Sequence, residues 1–363
     1  MMLAECKAVL QSFLNRKPEK LEVVLMPDFF LDRLINLDCD LQRFSSRLAE
    51  VADRKGGSLD GIPQENLRGG NAVNTASALA ALGAKVAPIV CADKLGMQQL
   101  HLYLGKYGVD LSTVKNIEKA SVTTALEFKA GGRKVNVMLR DLGSLADVGP
   151  SSLTDGDYAL IDNADVVCIF NWAGTKKFGT ELAAAVFQRV KTEGRGKTYC
   201  DTADPTPNNT KVPELMEKVL KTRILDVLSL NENEAIIYAS LLSGEIGERR
   251  GQLPLEELAM DAARVLAKRL TARIDLHTTA FSATFTGKHE VVVPAFKIKA
   301  LRATGAGDAW NAGNILGDAN GLSSEGRLAL ANAVSACYLS DVLGEHPTRQ
   351  KLVRFVEKAN MVG

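Results

Sequence analysis

The six cysteines (Cys6, Cys39, Cys91, Cys168, Cys200 and Cys337) include no C-x-x-C pair. A zinc ribbon or disulfide framework is therefore not expected, and such scattered thiols suit a reducing cytoplasm. The chain has no apolar run near the roughly 18–20 residues that a membrane span needs. Residues 1–20 mix Glu5, Lys7, Arg16 and Lys17 into their apolar positions, unlike a secretory signal. Net charge is almost absent: 44 basic residues against 43 acidic ones leave +1. No surface devoted to nucleic acid is expected from that balance. His101, His289 and His346 sit in unrelated segments without metal-ligand spacing. There is no fixed-period repeat, low-complexity tract or Pro/Ser-rich linker. What is there is 363 residues, 46% of them hydrophobic. At about 150 residues per domain this allows one large α/β unit or two domains, and the missing linker favours one.

Short β-branched apolar runs at 21–26, 85–90, 166–170, 197–200, 225–230 and 273–277 read as buried strands. Between them, 71–82, 180–192, 212–222 and 256–269 read as helices, the last with Leu258, Ala262, Val265, Leu266 and Leu270 at three-four spacing. Such alternation predicts a largely parallel sheet covered by helices on both faces. No Gly-x-Gly-x-x-Gly follows the first strand, which disfavours a dinucleotide oxidoreductase. Residues 121–128 and 133–139 instead alternate apolar and polar around Ala130-Gly131-Gly132, the pattern of a hairpin with one solvated face. It is expected to be a lid over a site or an added hairpin without a role. Segments 53–67 and 243–253 read as surface loops or insertions.

Chemistry concentrates at Ala303-Thr304-Gly305-Ala306-Gly307-Asp308-Ala309-Trp310-Asn311-Ala312-Gly313. A strand-like stretch, 290–299, leads in and a helix follows. Glycines let the backbone turn and leave amides open at a helix N-terminus, a site for phosphate oxygens. Asp308 in the first turn can accept a proton from an attacking hydroxyl; a tight turn with a helix-stabilising acid fits the same four residues. Arg68-Gly69-Gly70-Asn71-Ala72-Val73-Asn74-Thr75-Ala76 starts a helix with amides suited to sugar hydroxyls. Pro27-Asp28-Phe29-Phe30-Leu31-Asp32-Arg33 follows the first strand, where open α/β sheets bind ligands. Asn231 and Glu234, three apart at a helix start, can hold waters on Mg²⁺.

These four segments, in this order, resemble the ribokinase (PfkB) family of carbohydrate kinases over roughly residue 23 to the C-terminus. The resemblance implies a three-layer α/β/α sandwich with a mostly parallel central sheet. It also implies a small antiparallel β lid, formed mainly from about 121–140 with elements near 27–40. Residues 1–20 then form an N-terminal extension to a kinase domain spanning 21–363. The implied activity is ATP-dependent transfer of the γ-phosphoryl group to a hydroxyl of a sugar or sugar-acid, with Mg²⁺. Asp308 matches the base, and Gly305, Ala306 and Gly307 match the anion hole. Asp32, Gly69, Gly70, Asn71 and Asn74 match sugar-contacting positions. Asn231, Thr278, Thr304 and Asn332 match nucleotide-binding positions, and Asn231 with Glu234 the metal pair, acting through water. Phosphoryl transfer is largely positioning and electrostatics, so this set suffices.

The sequence also departs from the family. His277-Thr278-Thr279-Ala280 replaces a Gly-x-x-Gly nucleotide loop, which leaves another nucleotide donor open. Arg302-Ala303 replaces an acidic residue, and Arg302 meets phosphate or lies on the surface. Arg140, at the end of the second lid strand, suits a substrate carboxylate or phosphate, or is a solvated strand end; Arg68 and Arg133 are weaker candidates. Asp201 and Asp204-Pro205 read as a turn rather than a site floor, and Phe170 and Trp172 as core. The alternatives to a sugar kinase are a nucleoside or sugar-phosphate kinase of the same family, and a non-catalytic sugar or nucleotide sensor. Expected partners are a sugar-type small molecule and a nucleotide, with no nucleic acid and no membrane. A cytoplasmic homodimer joined through the lid edges is the expected assembly.

Overall fold

The computed structural model describes the backbone of residues 3–361 except 131, 132, 288 and 303, and their side chains except those of 3, 4, 133 and 134. The turn expected at Gly131-Gly132, the side chain of Arg133, and Ala303 lie outside the described residues. The chain opens with α1 (Leu3–Asn15), β1 (Glu22–Met26), β2 (Phe30–Asp40), α2 (Leu41–Asp53), β3 (Gln64–Gly69), α3 (Asn71–Ala81) and β4 (Lys85–Pro88). Helix α4 (Lys94–Leu104), the hairpin of β5 (Val122–Ala130) and β6 (Arg133–Asp141), and α5 (Asp155–Asn163) precede β7 (Val166–Phe170). Then come α6 (Gly179–Thr192), β8 (Lys197–Asp201), β9 (Val227–Leu230), α7 (Glu232–Leu242), α8 (Leu255–Arg269) and β10 (Arg273–His277). Strands β11 (Phe281–Thr286) and β12 (His289–Pro294) are followed by α9 (Ala306–Ala319), α10 (Ser324–Leu339) and α11 (Arg349–Lys358).

Among the described residues the central sheet has the order β12-β11-β10-β9-β8-β7-β1-β4. Pairing is parallel from β4 to β10, and β11 and β12 join by antiparallel pairing. Val23 and Leu25 of β1 enter one core with Leu79 of α3 and Ile315 of α9, while Val24 and Met26 enter a second core with Val186 of α6. Side chains alternate between faces along a strand, so burial on both faces makes the whole strand apolar. The expected three-layer sandwich follows from that.

A second sheet, ordered β3-β2-β5-β6, forms the lid. Its outer pairs are antiparallel and its inner pair, β2 with β5, is parallel. Strand β3 begins inside the segment read as a loop at 53–67 and runs on to Gly69, and α2 precedes it. The expected N-terminal extension is integral: Cys6, Leu10, Phe13 and Leu14 of α1 are buried in the core that α3, α9 and α10 share. Arg349 donates to the carbonyls of Phe13 (2.7 Å) and Leu14 (3.2 Å), closing the last turn of α1. The 243–253 segment holds a short helix, Gly244–Glu248, followed by Arg249, which pairs with Asp261 at 2.7 Å. Among the described residues no helix is long and apolar enough to cross a membrane.

Candidate active site

Helix α9 begins at Gly305, whose φ of +81° and a would-be Cβ 2.8 Å from Tyr338 Oη leave room only for glycine. By helix geometry the first-turn amides, those of Ala306, Gly307 and Asp308, have no intrahelical carbonyl to bond. Asp308 is 6% exposed. Its carboxylate accepts from Asn71 Nδ2 at 2.8 Å and Asn74 Nδ2 at 3.0 Å, and its carbonyl accepts from Thr75 Oγ1 at 3.3 Å. Burial, reinforced by the charges of Asp201 and Asp28, holds the Asp308 carboxyl well above the ordinary carboxylate range, against the pull of both amides. A carboxylate so placed can take a proton from a hydroxyl. Asn71 and Asn74, read as sugar contacts, thus turn their amide donors onto Asp308.

Helix α3 is seated by Asp28, whose carboxylate accepts from the amides of Asn71 and Ala72 (both 2.9 Å) and from Asn171 Nδ2 (2.8 Å). Gly70, at φ +94°, could carry a Cβ only 2.7 Å from the Asp28 carbonyl oxygen. Gly69 faces Asp32 so closely that a Cβ there would lie 2.2 Å from Asp32 Cγ. Asp32 Oδ1 is buried and has no partner among the described residues. Burial lifts the Asp32 carboxyl to about 6, against a hydrogen bond from Thr123 and the charge of Arg140. Arg140, 4.8 Å over the Phe30 ring, acts on Asp28 as well. The lid junction therefore brings Asp32, Gly69, Gly70 and Arg140 together.

On the other side of α9 lies a crevice of about 610 Å³, to which Asn71, Gly305, Ala306, Gly307 and Asp308 also contribute. Asn231 and Glu234 line it as a reciprocal cap of α7. Glu234 accepts from the Asn231 backbone amide (2.9 Å) and from Asn231 Nδ2 (2.8 Å), while its own amide donates to Asn231 Oδ1 at 3.0 Å. Burial and the nearby charge of Asp201 push the Glu234 carboxyl well up. A hydrated divalent cation would relieve this crowding of Asp201, Glu232 and Glu234, so the donor set fits Mg²⁺ bound through water. Among the described residues no group of three His, Cys, Asp or Glu side chains can hold an ion directly.

Thr278 lines the crevice, with its hydroxyl donating to the Phe281 carbonyl at 2.8 Å. Thr304 is exposed and accepts a bond from Tyr338 Oη at its carbonyl (3.3 Å). Asn332 borders the crevice, but internal bonds occupy its side chain: Trp310 Nε1 donates to it (3.0 Å), and it donates to the carbonyls of Val293 (3.2 Å) and Pro294 (3.0 Å). Arg302, open in the sequence between a phosphate contact and the surface, is half-buried. Its guanidinium caps α10, donating to the Tyr338 and Val342 carbonyls (3.1 and 3.3 Å) and to that of Asp341.

Sequence reading gave no site role to Glu232, His277 or Trp310, and its preference for a turn at Asp201 is corrected by the structure, which puts Asp201 on the crevice wall. Asp201 ends β8, takes Asn311 Nδ2 at 2.7 Å and lines the crevice, whereas Asp204 makes the expected turn with the Thr206 amide (3.0 Å). An acid at the C-terminal end of a parallel strand is the signal that marks Asp201. His277 ends β10 with its ring 5.0 Å from Trp310 and its buried Nε2 unpartnered among the described residues, 4.0 Å from Asp201.

Residues 39–350 match the family model described as pfkB family carbohydrate kinase. A ribokinase of Haemophilus influenzae is 24% identical over 314 residues, which cover 84% of this chain and 92% of that protein. Among solved structures, Arabidopsis thaliana ribokinase complexed with ribose and ATP superposes with a TM-score of 0.67 at 18% identity, covering 94% of this chain and 99% of that one. A nucleoside kinase of Methanocaldococcus jannaschii superposes with a TM-score of 0.66 at 16% identity, covering 94% of this chain and all (100%) of that one. These two likenesses show a ribokinase-like fold. With a family match that spans most of its length, the chain belongs to the pfkB family of carbohydrate kinases.

Proposed function

We propose that the protein transfers the γ-phosphoryl group of ATP to a hydroxyl of a sugar or sugar-acid bound between the lid and α3. The observation that carries this is Asp308, buried at the N-terminus of α9 and aligned by two side-chain amides where lid junction and crevice meet. Asp308 accepts the hydroxyl proton as the oxygen attacks. The first-turn amides of α9 donate to the equatorial oxygens of the transferring group. Asn231 and Glu234 would hold the water shell of a nucleotide-associated Mg²⁺, which would supply positive charge to offset that of the donor phosphates. Thr278 and the crevice wall formed by Trp310 and His277 flank the nucleotide.

Asp32 Oδ1, buried and lacking a partner among the described residues, favours an acceptor that donates hydroxyl hydrogens to it. Arg140 stands beside Asp28 and Asp32, whose charges offset its own, so a neutral sugar suits this end better than a phosphorylated one. The known relatives support the choice of substrates: ribose and ATP accompany the Arabidopsis ribokinase structure. The six free cysteines suit a cytoplasmic setting. A second copy joined through the outer lid strand completes the assembly we propose.

Asp308→Asn keeps an oxygen to accept from one amide but cannot take a proton. It is expected to lower turnover by a factor on the order of 10²–10⁴, with ATP and sugar binding by calorimetry close to wild type. A panel of sugars, sugar acids, sugar phosphates and nucleosides against ATP, GTP and ADP identifies the acceptor and donor. Wild-type turnover in the variant rules out Asp308 as base, and binding without product across the panel rules out the enzyme.

A further inference from the structure

Arg68 lies near the end of lid strand β3 and reaches inward rather than to solvent. Its guanidinium fork is spent on three neutral groups: Nε donates to Asn74 Oδ1 at 2.8 Å and Nη1 to Ser77 Oγ at 2.9 Å, while Nη2 meets His346 Nδ1 at 3.1 Å. The Tyr103 ring lies 5.4 Å from the guanidinium carbon. No carboxylate touches it among the described residues, although Asp308 is close enough to act on it through space. A half-buried cation hydrogen-bonded to neutral acceptors orients those acceptors strongly.

The consequence falls on Asn74. With Oδ1 held by Arg68, Nδ2 must face Asp308, where it donates at 3.0 Å. A flipped amide would set oxygen against carboxylate. His346 is fixed in the same way. As acceptor at Nδ1 it must carry its proton on Nε2, and burial together with the Arg68 charge holds its pKa well below the ordinary value, so the contact persists at neutral pH. Its ring lies 4.6 Å from Tyr338, the residue that touches Thr304 beside the anion hole.

We propose that Arg68 is a positioning residue that ties the lid strand to the base, fixing the Asn74 amide so that its donor, and the Arg68 charge behind it, bear on Asp308. This rests on Asp308 acting as the base. Among the described residues, the charged and titratable groups around Asp308 include Asp28, Asp201, Tyr338 and Arg68 itself, with His277, kept neutral by burial, beside Gly307. Of these Arg68 is the one cation, so its removal moves the carboxyl further upward.

The test combines Arg68→Met, which keeps the bulk but loses the fork and charge, with Arg68→Lys, which keeps the charge alone. The side-chain carboxyl carbon of Asp308, assigned by Asp308→Asn, is titrated by ¹³C NMR in the full-length protein, and the pH profile of turnover is recorded with the best acceptor of the panel. Arg68→Met is expected to move the Asp308 titration and the acidic limb of the profile up by about 1 pH unit. Turnover at neutral pH is expected to fall by about 10–100-fold. Arg68→Lys is expected to return the titration to near its wild-type position without restoring full turnover. If Arg68→Met does not fold, Arg68→Gln serves in its place. A folded variant whose Asp308 titrates as in the wild type overturns the proposal, even if its melting temperature has dropped. A wild-type protein with no transfer activity overturns the kinase reading instead, and the carboxyl titration still decides the role of Arg68.

Discussion

Asp32 and Asp308 share a fold and a chemistry but differ in what surrounds their oxygens. Two amides accompany Asp308 into the interior, whereas Asp32 keeps one oxygen without a partner among the described residues. Burial lifts both carboxyls, and for Asp32 it raises the value from 3.8 to about 6 on folding. A carboxyl raised on folding binds its proton more tightly in the native state. Its contribution to stability is greatest below the unfolded value and is lost as pH climbs through the folded one. At pH 7.5 the group is charged in both states and the burial penalty is felt in full. Asp32→Asn removes that penalty, so the variant is expected to melt higher than wild type at pH 7.5. The gap should close as pH falls toward 4. The same change removes a charged acceptor for a sugar hydroxyl, an interaction worth about 1.5–3 kcal/mol, so KM for the acceptor is expected to rise at least tenfold. Melting curves at the two pH values and a KM series read both effects. A variant that melts lower at pH 7.5 contradicts this account of Asp32.

Helix α3 and its approach show how an element is placed by residues outside it. Asp28, on the loop between β1 and β2, holds the first two amides of α3, and Gly70 makes the approach possible at φ +94°. Gly70→Ala adds both a strained backbone and a methyl 2.7 Å from a carbonyl oxygen. It is expected to cost about 2–4 kcal/mol in urea unfolding. Gly321, also at positive φ but with nothing within 4 Å, provides the control, and its alanine variant is expected to cost about 1 kcal/mol. Equal losses at the two sites would mean that the Asp28 contact does not matter. Elements with both faces covered were legible from sequence, because burial writes itself into β7 as an unbroken apolar run and into β1 and β9 as runs broken only by Glu22 and Ser229. Strand β3, Gln-Glu-Asn-Leu-Arg-Gly, is mostly exposed, and a strand in a solvated lid needs no apolar alternation to announce it. The glycine-rich turn into α9 was legible for the same reason as Gly70, since only glycine fits there. The cap residues Asn231 and Glu234 were legible by their spacing. The partners of Arg68 were not, because Asn74 and Ser77 meet it only when β3 turns back along α3, and His346 only once the C-terminal segment has folded against α3.

At the scale of the molecule, the lid is the part whose sequence and surroundings disagree most. Strand β6 is an outer strand of a four-stranded sheet, and Val135, Val137, Met138 and Leu139 along it are all at least 37% exposed. Helix α2 packs on the lid and buries none of its residues fully, though Leu41 and Leu48 lie exposed on it. Unpaired backbone and apolar side chains on one edge are a template for strand pairing, and natural proteins usually guard such edges with charge. A second copy of this chain can supply the cover by presenting the same edge, since a twofold axis makes one patch its own complement. Such pairing would also stiffen the sheet that carries Asp32 and Arg68, so assembly and acceptor binding should change together. Val137→Glu with Leu139→Glu places two charges in that edge without touching α3 or α9. The double variant is expected to sediment as a monomer at concentrations where the wild type is dimeric, and to bind the acceptor several-fold more weakly while its nucleotide affinity stays constant. A wild type that sediments as a monomer at tens of micromolar, or a monomeric double variant with unchanged acceptor affinity, separates the lid from assembly and leaves its exposed edge to be explained by motion of the lid alone.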